Sequence, residues 1–77
     1  MQLGTRWEVG AEPPSRLPAA VVAAITAVET ELAGVDTTGW RWTLTWLEGR
    51  PVVELDDGTT LRYDPVADAA TVESPLD

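Results

Sequence analysis

Residues 40–46 read Trp-Arg-Trp-Thr-Leu-Thr-Trp, with every even position large and apolar and every odd position polar. Side chains of a β-strand point alternately to two faces, so this run is a strand with one face buried and one face wet. Such a strand requires a sheet around it and a layer to cover it. A covering element precedes it. Leu17, Val21, Ile25, Val28, Leu32 and Val35 follow one another at spacings of three and four, a continuous stripe at helical period. Pro18 suits the first helical position, and Gly34 suits a left-handed residue after the last turn. The spacing predicts a helix over 18–33. Glu29 and Glu31 fall near its C-terminus, where the macrodipole disfavours carboxylates, and are read as solvated surface acids.

Further strands flank this pair. Leu3, Thr5, Trp7 and Val9 alternate with Gly4, Arg6 and Glu8, which predicts a strand over 3–9. After residue 46 come Pro51 to Leu55, Thr59 to Tyr63 and the weaker Ala70 to Glu73. A single apolar face fixes the register. Leu44 must oppose Val53, which closes the first hairpin around a two-residue loop, Glu48-Gly49. Val53 must oppose Leu61, which needs a three-residue loop, Asp56-Asp57-Gly58, with Gly58 at a left-handed bulge. The expected fold is α+β, in β-α-β-β-β-β order. One helix packs on one face of a mainly antiparallel sheet of four to five strands, and Arg41, Thr43, Thr45, Val52, Glu54, Thr60 and Arg62 lie on the open face. The 77 residues make one small domain (1–77), divided into a strand (3–9), a Pro-rich linker (10–17), the helix (18–33), a β-meander (40–73) and a tail (74–77).

Composition bears on function mainly through what is missing. The chain has no Cys, His or Lys, and its bases are five arginines. There is no disulfide, no thiolate nucleophile, and neither the commonest general base nor the commonest metal ligand. Ser15 and Ser74 have no neighbour able to activate them. The expectation is therefore a protein that is not an enzyme and carries no cofactor and no metal. Thirteen acids against five arginines give a net charge of −8, which argues against direct nucleic-acid binding. Residues 1–47 carry −2 of that charge and residues 48–77 carry −6, so an electrostatic role is expected in the second half and toward a basic surface. No apolar run approaches a membrane span, and no signal-peptide pattern opens the chain. The expected setting is the cytoplasm, without membrane contact.

The candidate partner-binding residues are Trp40, Asp56, Asp57, Asp64 and Asp68. Trp40 begins its strand beyond the apolar stripe of the neighbouring one, so it is the tryptophan expected to remain partly exposed; the others are read as core. Asp56 and Asp57 occupy a hairpin tip, and Asp64 and Asp68 bracket the loop at the opposite end of the next strand. The calcium-loop pattern fails around Gly58, because the positions before it would be Val53, Leu55 and Asp57. These acids therefore read first as turn formers.

The helix, the strands after it, and the run Val53-Glu54-Leu55-Asp56-Asp57-Gly58 followed by Tyr63-Asp64-Pro65 together resemble the pattern of PepSY-type domains over residues 18–73. The resemblance implies a small α+β module linked to peptidase inhibition and carries over no functional residue. The functional expectation is an acidic, non-catalytic protein-interaction module: an accessory, inhibitory or antitoxin-like partner of a larger protein with a basic surface. Two alternatives stand beside it. One is an acidic nucleic-acid mimic that fills the basic groove of a DNA- or RNA-handling protein, and the other is a small aromatic-lined ligand binder. The expected oligomeric state is a monomer or a homodimer paired through an edge strand.

Overall fold

The computed structural model describes residues 4–73. Strand β1 (Thr5–Glu8) leads through a linker to helix α1 (Ala19–Glu31), and a meander follows of β2 (Arg41–Leu47), β3 (Arg50–Leu55), β4 (Thr60–Asp64) and β5 (Ala69–Glu73). The strands form one antiparallel sheet in the order β1-β2-β3-β4-β5, and α1 packs on one face, nearest β4 and β5. No helix among the described residues is long and apolar enough to cross a membrane. Leu3, expected in β1, and the 74–77 tail lie outside the described residues.

The sheet register follows the side-chain alternation. Trp42 opposes Leu55, Leu44 opposes Val53, and Leu47 opposes Arg50, leaving Glu48-Gly49 as the loop. Both loop residues have positive φ, +53° and +79°, as a tight hairpin matched to strand twist requires. Val53 opposes Leu61. Around the Asp56-Asp57-Gly58 loop the Leu55 N–H donates to the Thr59 carbonyl at 2.8 Å, and Gly58 sits at φ +101°. The left-handed bulge residue is thus the glycine, which has no Cβ to clash there.

The helix is shorter than its apolar stripe. Pro18 is the N-cap and not the first helical residue: its ψ of 149° is extended, and its carbonyl accepts the N–H groups of Val21 and Val22. At the other end the last turn tightens. The Ala33 N–H donates to Thr30, three residues back, and Gly34 turns left-handed at φ +92°. The stripe loses Val35 as a result. The chain has left the helix axis by then, and Val35 stands 49% exposed.

The core lies between α1 and the sheet. Leu17, Val21, Ile25 and Val28 pack against Trp42, Leu44, Val53, Leu55 and Leu61. Trp7, Trp40, Trp46 and Leu32 border this cluster and are half-buried. Of the three tryptophans expected inside, only Trp42 is fully shut from water. Trp46 lies at the rim, where the Arg16 guanidinium stands 6.0 Å from its ring centre. Glu29 corrects a second expectation. It is not a solvated surface acid, because its Oε2 accepts the Trp42 indole N–H at 2.9 Å and the Gly10 N–H at 3.1 Å. One carboxylate thus joins the helix to β2 and to the turn after β1, and gives a buried indole the partner it needs.

Candidate functional site

Strand pairing sorts the charges in a way that chain order does not. The outward positions of the five strands hold Arg6, Arg41, Arg50 and Arg62 together with Glu8, Glu54, Asp64 and Glu73. This open face is neutral. Elsewhere nine acids stand against Arg16 alone, so the charge of −8 resides in the helix, the loops and the termini. On the open face Glu8 lies directly opposite Arg41, and Arg62 Nε meets Glu73 at 3.3 Å.

One end of the sheet combines apolar and acidic groups. The loop from α1 to β2 turns at Asp36-Thr37-Thr38-Gly39 and brings Trp40 beside Val9, whose N–H donates to the Trp40 carbonyl at 3.2 Å. Between them opens a hollow of about 630 Å³, lined by Glu8, Val9, Val35, Asp36, Thr37, Thr38, Gly39 and Trp40. Asp36 accepts both the hydroxyl and the backbone N–H of Thr38, and these two bonds lower its pKa below the ordinary carboxylate value. Asp56 adjoins this end. Its Oδ2 accepts the Arg41 N–H at 3.0 Å, and its own N–H donates back to the Arg41 carbonyl.

The five sequence candidates therefore divide. Trp40, Asp56 and Asp57 share one end of the sheet; Asp64 and Asp68 occupy the other. Each of the four aspartates has a structural task. Asp57 accepts the Thr59 N–H at 2.8 Å, Asp64 accepts the Val66 N–H at 3.0 Å, and Asp68 accepts the Tyr63 hydroxyl at 2.6 Å. That last bond, ahead of burial and the charges of Asp68 and Asp64, raises the Tyr63 pKa. Among the described residues no three acids gather closely enough to hold a metal ion. Sequence reasoning missed Glu8, Val9, Val35 and Asp36 as lining residues. The Asp36-Thr37-Thr38-Gly39 turn was readable in the chain, but the pairing that sets β1 beside it was not.

A second groove, of about 390 Å³, lies at the opposite end and is lined by Leu47, Glu48, Arg50, Pro51, Val52, Arg62 and Tyr63. Its cause is Pro51. Proline has no N–H to give the β4 ladder, and the pairing of β3 with β4 stops at Val52 opposite Arg62.

Comparison with known proteins finds no matching family model, curated protein or solved structure. The PepSY-type resemblance thus rests on element order and hairpin residues alone.

Proposed function

We propose that the chain is a non-catalytic, acidic interaction module, working in the cytoplasm, that seats a basic segment of a larger protein at the Trp40 end. It would act there as an accessory, inhibitory or antitoxin-like partner. The observation that carries this reading is the hollow in which Val9, Val35 and Trp40 supply apolar surface while Glu8 and Asp36 supply charge. An arginine or lysine side chain is the complementary shape. Its aliphatic stem covers Val35, its cation meets the carboxylates, and the Trp40 ring offers a π face. The two Thr38 hydrogen bonds lower the Asp36 pKa and so favour its charged form. The absence of His, Cys and Lys supports a role without catalysis.

The test is a quantitative pull-down from native lysate with the immobilised chain, compared with Trp40→Ala and Glu8→Gln proteins shown by circular dichroism to be folded. The expected result is a partner set retained at low salt, released at about 1 M salt where the Debye length falls to roughly 3 Å, and weakened in both variants. Retention that ignores salt and both substitutions sinks the proposal. A retained set made up of nucleic-acid-handling proteins would select the mimic instead.

A further inference from the structure

The two edges of the sheet are protected unequally. In the β1–β2 ladder the Val9 N–H donates to Trp40, so by alternation Thr5 and Trp7 also turn their backbone groups toward β2. The free edge of β1 therefore belongs to Arg6 and Glu8. Charged side chains at an edge oppose pairing with another chain. In the β3–β4 ladder the Leu55 N–H donates to Thr59. Thr60, Arg62 and Asp64 accordingly face β5, where they oppose Glu73, Thr71 and Ala69. Among the described residues nothing pairs with the outer edge of β5, which thus presents the N–H and C=O groups of Ala70 and Val72. This stretch, Ala69-Ala70-Thr71-Val72-Glu73, has no proline and no base, and its one charge is at the end. Val72 is 47% exposed although Leu61, opposite it, is 1% exposed.

We propose that β5 pairs antiparallel with β5 of a second copy about a two-fold axis at Thr71, joining two five-stranded sheets into one of ten. Three features select a second copy in this register. The four unpaired backbone groups of each edge are satisfied together, because Ala70 and Val72 exchange both bonds with the second copy's Val72 and Ala70. Both faces also stay in phase: small apolar residues meet on the helix side, and Thr71 meets its counterpart on the open side, a favourable cross-strand pair. Finally, no like charges stand directly opposed, since Glu73 falls opposite Ala69 and is already held by Arg62. Centring the axis between residues would put side chains on mismatched faces. The net charge of −8 on each copy opposes association, so added salt strengthens this contact, opposite in sign to the binding of a basic partner.

The axis predicts a cross-link. Residues opposed without mutual hydrogen bonds have Cα atoms about 4.5 Å apart, inside the range a disulfide spans. The chain has no native cysteine, so Thr71→Cys introduces the only thiol. Ala69→Cys is its control, because the two copies of residue 69 would lie roughly 14 Å apart, four residues along the strand. Under mild oxidation Thr71→Cys should give a covalent dimer several-fold faster than Ala69→Cys. Equal rates overturn the register. Sedimentation of the unaltered chain should show the weight-average mass rising toward a dimer between micromolar and millimolar concentration, and rising further with salt. Val72→Lys should abolish that rise while circular dichroism remains native, and Val66→Lys, the same charge change on an exposed loop, should leave it intact. A chain that stays monomeric at millimolar concentration in high salt, or equal losses in the two lysine variants, overturns the proposal.

Discussion

On the helix side of the sheet Trp42, Leu44, Val53 and Leu61 are almost wholly withdrawn from water, whereas on the other side no outward strand residue is buried. The same five strands build both faces, and the two faces make different demands on the sequence. The covered face requires shape: one tryptophan with its indole partner and a set of branched aliphatics in one register. The open face requires balance: four arginines and four acids spread among threonines, with Val52 as the sole half-buried aliphatic. Identity therefore carries stability on one side and charge neutrality on the other.

The largest expected difference between the faces comes from truncating one residue on each. Trp42→Ala removes the largest fully buried side chain and should cost on the order of 3–5 kcal/mol, enough to unfold a domain of this size. Thr45→Ala, on the open face, should change stability by no more than about 0.5 kcal/mol. Urea titration followed by tryptophan fluorescence checks the open-face variant, and far-ultraviolet circular dichroism checks the loss of fold in the other. A folded, cooperative Trp42→Ala protein would erase the distinction.

An intermediate effect concerns the acid that serves the covered face. Glu29→Ala strips the acceptor from the Trp42 indole and from Gly10, and should cost about 1–3 kcal/mol. Glu31→Ala, two residues away and exposed, should be close to neutral. Glu29→Gln retains an oxygen for the same donors and should recover part of the loss. Equal unfolding midpoints for Glu29→Ala and Glu31→Ala would mean that the bond to Trp42 contributes nothing.

Much of this contrast was readable in the chain. The period-two alternation of residues 40–46, together with Gly49 and Gly58, allows one register, and the structure has it. What escaped reading depends on geometry between elements distant in sequence. Glu29 and Trp42 are thirteen residues apart, and only the rotation of α1 about its axis makes them partners. Val35 kept the helical spacing after the helix had ended, because spacing alone does not mark where the chain turns away. The hollow at Trp40 needs Glu8 and Val9 from β1, and nothing local says that β1 lies beside β2. Asp56 and Asp57 were legible as turn residues. Their bonds to the backbone of Arg41 and Thr59 mean that reversing them to Arg would disturb the hairpin as well as the surface, which makes Glu8 the cleaner probe of binding.

The smallest expected effect lies at the end away from Trp40. The Asp68 bond raises the Tyr63 pKa above its usual value of 10.0, because the bond exists only while the phenol keeps its proton. Its contribution to stability is complete below the unfolded pKa and is lost as pH rises through the folded one. The unaltered protein should therefore lose slightly more stability across that alkaline window than Tyr63→Phe does. Urea midpoints taken on either side of pH 10 measure this, and parallel curves would remove Asp68 from the account.

The clasp at Glu29 also has a consequence in time. Strands β2 to β5 are joined by hairpins of two, three and four residues, whose ends meet at little entropic cost and fast. Strand β1 is different, because Thr5 finds Leu44 only after the linker and the entire helix have been placed. Glu29 can hold Gly10 and Trp42 together only when that has happened. Loop length therefore predicts an order of assembly, with the meander first, the helix laid across it, and β1 added last through its ladder with β2 and the Glu29 clasp. In native-state hydrogen exchange the β1 amides should open before those at the centre of β3, which makes β1 the part of the sheet that comes and goes while the rest stands.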